Sequence, residues 1–138
     1  MKKSTLRAVI ATTALGLLTL GTALAEIAVI VNTGNATSSM SADDVKGIFF
    51  GKSIALSPVD QAEGSAIRNA FYSKVAGKDA TQMKAYWTTM IFSGKAVPPE
   101  GATDSAAVKA WVAKTPNGIG YIDGGAVDGS VKVILKVN

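Results

Sequence analysis

The chain has 138 residues, with 14 Lys and Arg against 10 Asp and Glu, and neither histidine nor cysteine. Without cysteine there is no disulfide, thiol nucleophile or thiolate metal site. Without histidine the Ser-His-Asp triad, the usual general base and the commonest transition-metal ligand are also gone. Such a composition points to a binding protein rather than an enzyme, with no metal or cofactor expected.

Lys2, Lys3 and Arg7 precede a small, apolar run over residues 8–25 that closes on Ala23-Leu24-Ala25. A charged start, an apolar stretch and a small-x-small exit form a secretory signal peptide. The run is short for a membrane span and is diluted by Thr12, Thr13, Thr19 and Thr22. Cleavage after Ala25 is expected, leaving residues 26–138 as one domain in the periplasm, with no membrane attachment. Removing those three basic residues brings the remainder close to neutrality, so nucleic acid is not an expected partner.

In chain order, Ile27–Val31 is an apolar, β-branched run that reads as a buried strand. Ser41-Ala42-Asp43-Asp44 is a cap signature opening a short helix with Val45, Ile48 and Phe49 inward, ended by Gly51. Residues 54–59 predict a second strand. A second helix follows from about Gly64, with Ile67, Ala70, Phe71 and Val75 on one face and Gly77 as its stop. Asp79 to Gln82 caps a third helix, whose Met83, Tyr86, Trp87, Met90 and Ile91 recur at helical spacing. Residues 94–103, with Pro98-Pro99, read as a loop, and Asp104 caps a fourth helix with Val108, Trp111 and Val112 inward. Ile119–Ile122 predicts a third strand. In residues 131–137, Val131, Val133, Leu135 and Val137 alternate with Lys132 and Lys136, as in a half-exposed edge strand. Strands interleaved with helices predict an α/β fold, a small mixed sheet flanked by helices.

Chemistry concentrates between Asp60 and Arg68. A strand feeds a turn, and the turn opens a helix at Gly64-Ser65. The first amides of a helix lack internal partners and carry the positive end of its dipole. Glycine admits an anion to the backbone, Ser65 adds a hydroxyl, and Arg68 adds a full charge one turn in. Gly64, Ser65, Ala66 and Arg68 are therefore the candidate anion ligands. A cap and a solvated arginine are the plainer reading of the same residues. Asn32 and Thr33, at the end of the first strand, are candidate rim residues, since ligands gather at strand carboxyl ends in open α/β sheets.

Three blocks resemble one family. Ile30-Val31-Asn32, then Ser41 through Lys52 with Ile48-Phe49-Phe50-Gly51-Lys52, is similar to the "VN … IF-G-K" stretch of periplasmic phosphate-binding proteins of ABC-type transporters. Gln61 to Ile67 lies on that family's R-x-D-G-S-G-T signature, and Pro116 to Tyr121 resembles its "P-x-x-I-G-Y" strand. The blocks are collinear over nearly all of residues 26–138. The resemblance implies one lobe of a type II periplasmic binding protein, here the second lobe, and a phosphate or related oxyanion as ligand. It also implies an ABC transporter permease as partner. Within the signature, Gln61 stands in the arginine's place and is by that position a further candidate anion ligand, Ala66 and Ile67 replace glycine and threonine, and Gly64 and Ser65 are unchanged. A second protein copy or another protein would be needed to cover the site. The alternative is a single-lobe interaction module whose anion site has decayed.

Overall fold

A computed structural model describes residues 26–138; the expected signal peptide, residues 1–25, lies outside the described residues. The strands are β1 (Ile27–Asn32), β2 (Ser57–Asp60), β3 (Glu100–Gly101), β4 (Gly118–Asp123) and β5 (Val131–Val137). The helices are α1 (Ala42–Phe49), α2 (Ala66–Ala76), α3 (Ala80–Phe92) and α4 (Ser105–Lys114). The five strands form one sheet in the order β3-β2-β4-β1-β5. Strand β2 runs parallel to β3 and β4, whereas β1 runs antiparallel to β4 and β5. The expected α/β class with a small mixed sheet is what forms.

Each helix begins where a side chain supplies the acceptor that its first amides lack. Ser41 Oγ accepts from Asp44 N at 3.1 Å, and Asp104 Oδ1 accepts from Ala107 N at 2.8 Å. At α3, Asp79 and Gln82 satisfy each other's backbone amides at 2.8 and 2.9 Å, a reciprocal capping box. Gly77 ends α2 in the left-handed region, φ 63°.

The sheet is covered on both faces. Ile27, Val29 and Val31 of β1 pack with Ile48, Phe49, Phe71, Met83 and Trp87 from α1, α2 and α3. Ala28 and Ile30 point the other way, toward Val108 and Val112 of α4. That is why β1 is an unbroken apolar run instead of an alternating one. Trp87 and Phe71 are thus core, as their spacing predicts, while Tyr86 and Met90 are half-buried and Ile91 is exposed.

Three elements differ from expectation. The predicted second strand starts at residue 54, but pairing begins only at Ser57↔Gly118, and Ile54 stands outside the sheet, 98% exposed. The predicted loop over 94–103 contains β3, two residues long and defined only by its pairing with Val59 and Asp60. Strand β5 carries a bulge: Val29 pairs with Leu135, but Ile30 pairs with Val133, leaving Ile134 as the extra residue. One inserted residue reverses every side chain beyond it. Val131 and Val133 therefore face α4, whereas Ile134, Leu135 and Val137 face the three-helix layer. The single alternating face expected for this segment does not exist.

Gly120 explains how closely α4 lies on the sheet. A Cβ at this position would sit 2.5 Å from Val108 Cγ1 and 3.1 Å from Val59 Cγ1. Gly120→Ala is expected to destabilise the fold by about 1–3 kcal/mol through overpacking. Urea unfolding checks this; a change near zero would mean that α4 shifts freely.

Candidate functional site

Because β2 and β4 are parallel neighbours, their carboxyl ends lie side by side. From β2 the chain continues through Asp60 and Gln61, turns with Ser65 N bonded to Ala62 O at 3.1 Å, and enters α2. Gly64 takes φ 82°, with open space where a Cβ would stand. Ser65 is the cap residue: its Oγ accepts from Arg68 N at 3.3 Å, and its hydroxyl proton is free to donate outward. The amides of Ala66 and Ile67 belong to the first turn, which has no carbonyl behind it. Gly64 and Ala66 are exposed, Ser65 and Ile67 half-buried, and no acid lies in the first turn of α2.

Arg68 is not a free charge. Its Nε lies 3.5 Å from Asp60 Oδ2, and its guanidinium carbon sits 5.5 Å from the centre of the Tyr72 ring. Asp60 is 4% exposed and is the hub of this end of the sheet. Its Oδ1 accepts from Tyr121 Oη and from Gln61 N, the latter at 2.8 Å. Its Oδ2 accepts from Tyr72 Oη at 2.5 Å. Burial, and then the adjacent Asp60 carboxylate, push the ionisation of Tyr72 and Tyr121 far above the ordinary tyrosine range. Both rings are thereby fixed as hydroxyl donors. Tyr121 is also stacked on Phe71, with centroids 3.8 Å apart and planes 6° from parallel.

Gln61 is buried too. Its Nε2 donates to Tyr121 O at 3.0 Å and to Ser105 Oγ at 3.1 Å, tying β2 to β4 and to the start of α4. The same Ser105 hydroxyl accepts from Asp123 N at 3.2 Å. The fold thus gathers Gln61, Gly64, Ser65, Ala66 and Arg68 at one place. Gln61 and Arg68 face inward there, and the backbone of Gly64 to Ala66 faces solvent.

Asn32 and Thr33 are elsewhere. Strand β1 runs against β4, so its carboxyl end points to the opposite end of the sheet. Asn32 pairs with Val131 there, and its Nδ2 donates to Val112 O and Ala113 O, both at 3.0 Å, closing the last turn of α4. The rule that ligands gather at carboxyl ends holds for strands that share a direction, here β2, β3 and β4. Asp60, Tyr72, Tyr121 and Ser105 are the residues that sequence reasoning missed. The available signal was an acid directly after an apolar strand residue, with a tyrosine one turn beyond Arg68.

Among the described residues no group of acids is arranged to hold a metal ion, and no helix is long and apolar enough to cross a membrane. No protein-family model matches the sequence, and no curated protein matches it significantly. Solved structures share the fold. A putative phosphate ABC transporter substrate-binding protein with bound phosphate, from Clostridium perfringens, aligns with TM-score 0.64 and 24% identity, over 80% of this chain and 45% of that one. An ABC-type phosphate transport receptor from Vibrio cholerae aligns with TM-score 0.62 and 21% identity, over 80% and 46%. PstS from Borrelia burgdorferi aligns with TM-score 0.57 and 13% identity, over 80% and 47%. The chain spans less than half the length of each of these proteins, and the shared part is an α/β lobe.

Proposed function

We propose that this domain binds phosphate or a related oxyanion at the start of α2, as a non-enzymatic solute-binding component of the periplasm. The observation that carries the reading is the helix start itself. Gly64 clears the approach, and Ala66 N, Ile67 N and the Ser65 hydroxyl are outward donors. The fold likeness to phosphate-transport proteins, one with phosphate bound, supports the same ligand class. An ABC transporter permease is the corresponding partner. Binding by one lobe is open to water on one side, so the expected affinity is weak, roughly millimolar. A second copy or another protein covering Gly64-Ser65 would tighten it.

Ala66→Pro isolates the site from the fold. Proline is favoured at the first helical position, and Ser65, at φ −70° and ψ 145°, already has the backbone that precedes proline. The change deletes one outward amide and leaves the helix intact. A hydrogen bond to a charged acceptor is worth about 1.5–3 kcal/mol, so phosphate affinity should fall roughly ten-fold or more. Titration calorimetry with phosphate and with sulfate reads this directly. Equal binding by parent and variant would remove the helix start as the site.

One observation favours the second reading, an interaction module with a decayed anion site: Arg68 is committed to Asp60. On that reading the purified protein takes up neither phosphate nor sulfate, and the same titrations are flat.

A further inference from the structure

At the other end of the sheet, around Ser57, Pro58 and Asn117, the surface holds a groove of about 530 Å³. Trp87, Trp111, Leu56, Pro58 and Pro98 supply its apolar wall. Two apolar side chains on the same lining project outward: Ile54 is 98% exposed and Val97 78%. Isolated surface apolar residues are ordinary, but projecting ones beside an apolar hollow mark a protein contact. Lys95 and Glu100 share that lining, both exposed. Among the described residues the ion pairs are Arg68–Asp60 and Lys109–Asp128, so neither Lys95 nor Glu100 has an internal counter-charge.

The occupant follows from this combination. One face carries both projections and a hollow, and both a cation and an anion. A face that carries both members of each complementary pair can meet a copy of itself across a two-fold axis, as an isologous contact requires. Strand addition at β3 is disfavoured, because Pro98 and Pro99 just before it offer no amide donor. Side-chain packing is the remaining mode. We propose that two copies of the chain associate here about a two-fold axis, with Ile54 and Val97 of each entering the hollow of the other. Lys95 of each copy then faces the partner's Glu100, giving two ion pairs per dimer. This contact is remote from the start of α2 and does not depend on anion binding.

Sedimentation equilibrium of the purified protein tests the proposal through its reciprocity. The parent should dimerise reversibly, and Ile54→Asp should make it monomeric with an unchanged circular dichroism spectrum. Lys95→Glu alone and Glu100→Lys alone should each weaken the dimer roughly ten-fold or more, since each places like charges together twice. Mixing the two single variants should restore association, because only the mixed dimer regains both opposite-charge pairs. Trp87 and Trp111 are the two tryptophans of the chain, and both line this groove. Their emission should shift with protein concentration in the parent and not in Ile54→Asp. A protein that stays monomeric up to roughly millimolar concentration overturns the proposal. So does a dimer that Ile54→Asp leaves intact, or mixed variants that fail to associate.

Discussion

Replacing Asp60 with alanine is expected to lower the melting temperature by roughly 15 °C. The carboxylate accepts from two tyrosine hydroxyls, from Gln61 N and from the Arg68 guanidinium, and nearly all of it is out of water. Truncation strands all of these donors at once. Removing one member of a buried, hydrogen-bonded ion pair costs about 3–5 kcal/mol, a large share of the 5–15 kcal/mol typical of a whole domain. Asp60→Asn should be milder, since a tyrosine hydroxyl can rotate to accept from the new amide. Thermal and urea unfolding of both variants provide the measurement. An alanine variant as stable as the parent would mean that the donors find other partners.

Alkaline unfolding should be equally pronounced and should begin above pH 10, the ordinary tyrosine value. Tyr72 and Tyr121 keep their protons in the folded state to far higher pH, because burial and the Asp60 charge both oppose phenolate formation. Below pH 10 both states hold these protons and the stabilisation is fully present. Above it the unfolded chain releases them while the folded chain does not. The unfolded state then binds fewer protons, and stability falls by about 1.4 kcal/mol per pH unit for each tyrosine. For the pair the loss reaches roughly 5 kcal/mol by pH 12. Phenolate absorbance should therefore rise for these two rings in step with the loss of ellipticity. A smooth titration of every tyrosine near pH 10, with the fold intact, would contradict the geometry around Asp60.

Much of the fold is legible because its signals are local. Ser41, Asp79 with Gln82, and Asp104 announce their helices within three residues, and each of the three N-cap side chains accepts from the amide three positions on, with the reciprocal arm present at Gln82. What is missed depends on partners distant in sequence. Strand β3 exists only through Val59 and Asp60, far upstream, and two residues carry no periodic pattern. The bulge at Ile134 is a property of the pairing between β1 and β5, so alternation within residues 131–137 could not reveal it. The site divides in the same way. Gly64-Ser65 as a capped helix start can be read from the chain. The fate of Arg68 cannot, because Asp60 is fixed by Tyr72 and by Tyr121, 12 and 61 residues away. Asn32 shows a third kind of loss: a strand carries no mark of the direction of its neighbours.

The bulge in β5 has a consequence for polymerisation. Sheets propagate from molecule to molecule through unpaired margins, and long flat margins seed cross-β fibres. Here the displaced Ile134 carbonyl is taken by Met40 N at 3.2 Å, so the stretch before α1 lies against that margin. The bulge also sends Lys132 and Lys136 to opposite faces. The far margin, β3, is two residues long and follows two prolines. The β5 border is interrupted at its middle by the bulge and the Met40 bond, and the β3 border is too short to template a further strand. At high concentration the chain should therefore resist fibre growth, and thioflavin binding should stay flat over time. Any assembly it joins should be finite, built through side chains and reversible on dilution.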